Sequence, residues 1–213
     1  MTSISDRARA AGIRIAAAAL MLALTGCALP LPDKPVRPQP YDLGPPLPVA
    51  ANIAPGGPAL ALDRVESSAA IDGTAIIYRL AHEGGQQPRP YAQARWTMSP
   101  PQLVSQRLRE AFSATRPVVE AGAGLAQIEL RAELDEFAQI FSSPEASEGV
   151  VRLRVTAIAP TAKTSRLLGQ RTFSVRQPAA TADAVGGVTA LRAATDEAVR
   201  QVVAWVNALP PPR

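Results

Sequence analysis

Few side chains in this sequence are of the types that do chemistry, and their spacing narrows what they could do. There is one cysteine, Cys27, and one histidine, His82. One thiol cannot close a disulfide within the chain, and one histidine cannot build a Cys/His metal cluster. No metal and no cofactor are therefore expected. His82 stands in a polar stretch with Glu83, Gly84, Gly85 and Pro88, where a histidine reads as a solvated side chain. Glu129, Glu133 and Asp135 are separated by even numbers of residues, which on a strand places them on one face, where paired carboxylates could exchange protons. Arg131 interrupts them, and Arg152 and Arg154 recur on the next apolar-alternating segment, so ion pairing across a wet sheet face is the expected use. Neither a Gly-x-Ser-x-Gly elbow nor a phosphate-binding Walker loop occurs. The chain is expected not to be an enzyme, and in particular not an ATPase.

The chemistry that the N-terminal pattern supports is done to Cys27. Arg7, Arg9 and Arg14 precede the uncharged run Ile15–Leu24, and Thr25-Gly26-Cys27 follows. A basic start, an apolar core and small residues before a break describe a secretory signal peptide. The run has about half the roughly 20 residues that span a bilayer. Leu24-Thr25-Gly26-Cys27 resembles the bacterial lipobox. That resemblance implies cleavage after residue 26 and acylation of the Cys27 sulfur. Each buried methylene contributes about 0.8 kcal/mol, so several acyl chains anchor a protein durably. Ala28, where an aspartate commonly retains such proteins in the inner membrane, favours the outer membrane.

The chain has 213 residues, enough for one domain and a linker. Lys and Arg number 22 against 18 Asp and Glu; Arg7, Arg9, Arg14 and Asp6 belong to the signal, so the mature charge is close to balance. With aromatics at 4%, neither a basic surface nor a base-stacking platform is expected, and nucleic acid is excluded as a partner. Ten of the 21 prolines lie between Pro30 and Pro58. Such a segment cannot be helical and favours extended polyproline II. The expected organisation is a signal peptide at 1–26, a lipidated cysteine and Pro-rich tether at 27–40, a domain at 41–209, and a tail at 210–213.

Within the domain, Ile128–Asp135 alternates apolar and charged residues, so Ile128, Leu130, Ala132 and Leu134 share a face. Phe137 is out of phase, which predicts a bulge near Glu136. Val151–Ala157 and Leu167–Val175 read as two further strands, and the short polar loops between the three predict an antiparallel meander. Earlier strands are expected at Leu60–Glu66, Ala75–Leu80 and Tyr91–Met98, with Ala92, Ala94 and Trp96 on one face. Ser99-Pro100-Pro101-Gln102 is a capping-box start for a helix whose stripe is Leu103, Val104, Leu108, Ala111 and Phe112. A second helix is expected from Val185 to Leu209, with Val188, Leu191, Ala198, Val202, Val206 and Leu209 on its apolar side and Pro210 ending it. Trp205, slightly off that stripe, is equally readable as part of the core or as a partner contact. The order β-β-β-α-β-β-β-α predicts an α+β two-layer sandwich, with both helices on one face of a mixed or antiparallel sheet.

These elements resemble the ABC-type transport auxiliary lipoproteins, the family that includes the PqiC-like lipoproteins. The resemblance is carried by Tyr41-Asp42-Leu43, by Leu62-Asp63-Arg64 followed by Ile76-Ile77-Tyr78-Arg79, and by Tyr91, Trp96 and Pro100-Pro101 leading into Leu103. It implies a role beside an ABC-type lipid transport system, with a periplasmic MCE-domain protein as partner and a homo-oligomeric ring as the assembled state. Two other functions fit the elements. A tethered head could activate or assemble a cell-envelope enzyme such as a cell-wall synthase. The domain could also carry lipid itself, which requires an apolar cavity of several hundred Å3.

Overall fold

The structure is a computed structural model that describes residues 36–46, 58–122, 124–160 and 165–210. The expected signal peptide, the lipobox, most of the tether and residues 211–213 lie outside the described residues. The chain divides into a unit Met1–Val36 and a unit Arg37–Arg213, and the fold below is that of the second.

Three strands of 14 residues each dominate the sheet: β7 (Ile128–Phe141), β8 (Ser147–Pro160) and β9 (Ser165–Pro178). They form the antiparallel meander that their alternation predicts, with Leu134 paired to Leu153 and Leu153 to Phe173. The register slips between Leu134 and Glu136, so a bulge at Asp135 brings Phe137 back to the buried side, 2% exposed. Along its other edge β7 receives three short parallel strands in succession. β2 (Leu60–Leu62) pairs with Ile128–Leu130, β3 (Glu66–Ser67) with Glu133–Leu134, and β4 (Ala75–Leu80) with Gln139–Phe141. The single strand expected over Leu60–Glu66 is therefore two, because the chain leaves the edge of β7 at Asp63 and Arg64 and rejoins it beyond the turn.

β5 (Arg89–Trp96) runs antiparallel to β4 and carries β1 (Gln39–Tyr41) as its parallel outer neighbour. β1 begins inside the segment read as tether. β6 (Val118–Glu120) lies parallel to β2. The observed order has more strands than the expected one, and the additional ones are three residues long or shorter. Pairing of β4 with β5 is irregular between Ala75 and Ile77, and the bulging part of β5 leaves Ala92 exposed while Ala94 and Trp96 are buried.

Helix α1 (Pro100–Ser113) starts as its sequence predicts: the Ser99 backbone N–H donates to Gln102 Oε1 at 3.2 Å, and proline fills the first helical position. Leu103, Val104, Leu108 and Phe112 are buried. Helix α2 (Ala184–Asn207) starts at Asp183, whose Oδ1 accepts the Gly186 N–H at 2.8 Å and the Thr181 hydroxyl at 2.7 Å. Those bonds hold the Asp183 carboxyl below its usual range. α2 packs on β8 and β9 and against α1. The core between helices and sheet includes Trp96, Phe112, Leu134, Phe137, Leu153, Phe173, Leu191 and Val202. Trp96 is 1% exposed and meets Phe137 edge-on at 5.5 Å, a packing role. Among the described residues no helix is long and apolar enough to cross a membrane.

Candidate functional site

The carboxylates singled out in the sequence sit on the outer face of the long meander and meet arginines. Arg154 contacts Glu133 at 2.9 Å and Asp135 at 3.1 Å; Arg152 contacts Glu136 at 2.8 Å; Arg131 contacts Glu129 at 2.9 Å; Arg176 contacts Glu148. All but the Arg131–Glu129 pair, which runs along β7, cross between adjacent strands, and surface pairs of this kind are each of small energetic weight. They set the polarity of the face.

His82 lies in a short 3-10 turn, Ala81–Glu83, following β4. Its Nδ1 is 3.3 Å from the Phe141 carbonyl oxygen, its Nε2 is 3.9 Å from Glu83, and its side chain is 26% exposed. The residue is exposed, as expected of a loop histidine, and one edge of its ring faces the Phe141 main chain. On the neighbouring strands the Tyr78 and Tyr91 rings are 4.7 Å apart and Tyr78 meets Phe141 at 5.8 Å. Tyr91 donates its hydroxyl to Oε1 of the fully buried Gln139 at 2.8 Å, and Gln139 Nε2 donates to Ser147 Oγ at 2.7 Å. Burial, with Tyr78 and Asp183 nearby, pushes the Tyr91 phenol up to about 12, so it stays a donor. This network satisfies buried polar groups.

The most deeply buried charge is Arg107, on α1, 3% exposed. Its Nη1 donates to the Pro45 carbonyl at 2.8 Å, and its Nη2 donates to Leu43 and, at 3.2 Å, to Gly44. One guanidinium therefore holds three consecutive carbonyls of the segment that follows β1. Gly44 sits there at φ 71°, with its N–H on Asp42 Oδ1 at 2.7 Å. On the other side Arg107 Nε lies 3.4 Å from Asp196 Oδ1, and Glu110 is 3.3 Å from Nη1. Burial pushes the Asp196 carboxyl up, and the facing Arg107, Arg192 and Arg200 only partly oppose it. The clamp binds the start of the domain to both helices. Sequence reasoning passed over Arg107, although it falls four residues after Leu103 and three after Val104, inside the apolar stripe.

A groove of about 910 Å3 opens between the start of α1 and the β2–β3 turn, with Asp63, Arg64, Glu66, Asp72, Arg109 and Glu120 in its lining. Its charged rim suits a polar partner better than an acyl chain. Trp205 is half-buried on α2, edge-on to Phe173 at 5.8 Å, so it shares in the core and keeps part of its ring at the surface. Leu24, Thr25, Gly26 and Cys27 fall outside the described residues. What the described chain presents is a head with charged outer surfaces and an entry segment held by Arg107.

The model of the family described as ABC-type transport auxiliary lipoprotein component matches residues 41–203. Among solved structures, a Xanthomonas campestris protein of family DUF330 is similar at TM-score 0.63 and 16% identity, over 79% of this chain and 94% of that one. A second crystal structure, of an uncharacterized protein, is similar at TM-score 0.61 and 12% identity, over 80% and 99% of the two chains. At such identities the likeness is one of fold. No curated protein matches the sequence.

Proposed function

The chain belongs to the ABC-type transport auxiliary lipoprotein family, and from that premise we propose that it is a non-enzymatic lipoprotein of the outer membrane that docks or stabilises the periplasmic part of an MCE-associated lipid transport system. Cys27 carries the lipid, the Pro-rich segment spaces the head from the membrane, and the head meets protein partners. The observation that carries this reading is the family match across the head, read with the Leu24–Cys27 pattern in front of it. The charged outer sheet face and the charged groove are consistent with protein contacts rather than turnover of a small substrate. A homo-oligomeric ring and Trp205 as a contact within it or with the MCE protein belong to the same reading.

The reading is tested by separating membranes on a density gradient and purifying the protein under gentle detergent. The wild type should band with the outer membrane and bring the MCE-domain protein with it, while Cys27→Ser should leave the outer-membrane fraction and lose the partner. A wild type that bands elsewhere, or that purifies alone while the MCE protein is present in the same extract, overturns it.

A further inference from the structure

β9 is paired on one side only: its partner is β8, and no described strand lies along its other edge. About half of its residues turn N–H and C=O groups outward, the arrangement that invites another strand. Side-chain placement on this edge is specific. Ala159 pairs with Arg166, Ala157 with Gly169 and Val155 with Arg171, with Leu168 as the extra residue between. Ala157, Ala159 and Val155 are buried toward the helices, so Arg166, Gly169 and Arg171 lie on that same side. Over Gly169 sit Trp205 and Leu209 of the α2 end: a Cβ on Gly169 would be 3.3 Å from Trp205 Cζ2 and 3.6 Å from Leu209 Cδ2. The edge thus presents a half-buried indole flanked by two exposed guanidinium groups, and β9 contains no carboxylate. Among the described residues neither Arg166 nor Arg171 has an ion-pair partner, whereas Arg176 meets Glu148.

We propose that the free edge of β9 takes up an extended acidic segment of another protein as an added strand, with an apolar residue on Trp205 and Leu209 and carboxylates two residues to either side facing Arg166 and Arg171. Main-chain hydrogen bonds would supply the pairing and the side-chain pattern the choice of partner. A second copy of this chain fits poorly. Antiparallel pairing of β9 with itself about Arg171 sets Arg166 against Arg176 and Arg171 against Arg171. The opposite ends of the sheet, β1 and β6, offer only three residues each. The inference stands whichever transporter the protein serves.

The test uses the full-length lipidated protein in phosphatidylcholine nanodiscs and fluorescein-labelled seven-residue peptides read by polarisation. The peptide Thr-Glu-Thr-Leu-Thr-Glu-Thr should bind saturably and about tenfold or more tighter than the same peptide with lysine for glutamate. The R166E/R171E protein, altered only at exposed positions, should reverse that preference, and proline in place of the threonine after leucine should abolish binding. Equal affinity for the two peptides, a preference unchanged in R166E/R171E, retained binding of the proline peptide, or no saturable binding overturns the proposal.

Discussion

Replacing Arg107 with methionine should lower the unfolding free energy by about 3 kcal/mol, without a change in fold. Methionine fills a similar volume but cannot donate, so the carbonyls of Leu43 and Pro45 lose their guanidinium partner and Asp196, 14% exposed, loses its nearest cation. Arg192, 3.8 Å from Asp196, remains, which keeps the cost at the lower end of that for breaking a buried pair. The loss should depend on pH in a defined direction. The Asp196 carboxyl is already raised by burial in the native protein, so its protonated form is the one that folding favours. That contribution is fully present below the unfolded carboxylate value and is lost as pH rises through the folded one. Removing Arg107 raises the folded value further. The variant's deficit should therefore be larger at pH 7 than at pH 4, and urea denaturation at the two values measures it. Hydrogen exchange at Leu43 and Gly44 should accelerate together with the loss. A deficit that is the same at both pH values, or none at all, means that the clamp does not hold the entry segment.

Gly149→Ala should cost about as much, near 3 kcal/mol, by a different route. Gly149 lies on β8 where α2 crosses it, and an added Cβ would stand 2.5 Å from Leu191 N and 2.6 Å from the Ala190 carbonyl carbon. These are backbone atoms on the buried face of a helix, so no rotamer change relieves the clash. The helix must lift from the sheet and open the packing around Leu191 and Val151, both fully buried. Gly73→Ala is the matched control, since nothing lies within 4 Å of its added Cβ and its effect should stay within about 0.5 kcal/mol. Thermal unfolding of the two variants beside the wild type measures the contrast, and equal midpoints for Gly149→Ala and Gly73→Ala would contradict the close approach.

The three long strands were legible because each has one wet face and one buried face over many residues, so alternation from Ile128 to Leu134 and from Val151 to Ala157 has no other reading. The bulge at Asp135 was legible for the same reason, as a break of phase at Phe137. β1, β3 and β6 were not predicted from periodicity, because two or three residues carry none. Their positions are decided by the edges they find, along β7, β2 and β5. The capping box of α1 is local chemistry and was readable at Ser99 and Gln102. The burial of Arg107 was not legible, because a charged residue ordinarily takes the wet side of a helix. Its burial depends on carbonyls more than 60 residues earlier in the chain, which no local pattern announces. The paired use of Glu129, Glu133 and Asp135 was legible from the interleaved arginines. The outward edge at Arg166, Gly169 and Arg171 emerged only with the β8–β9 register, since the extra residue Leu168 shifts which side each arginine takes.

The account is tested most directly by crosslinking in living cells, followed by isolation of the protein and identification of its adducts by mass spectrometry. The expected adducts are an MCE-domain protein and further copies of this chain, both strongly reduced when Cys27→Ser replaces the wild type. Adducts confined to a cell-wall synthase, or an unchanged adduct pattern for Cys27→Ser, would contradict it.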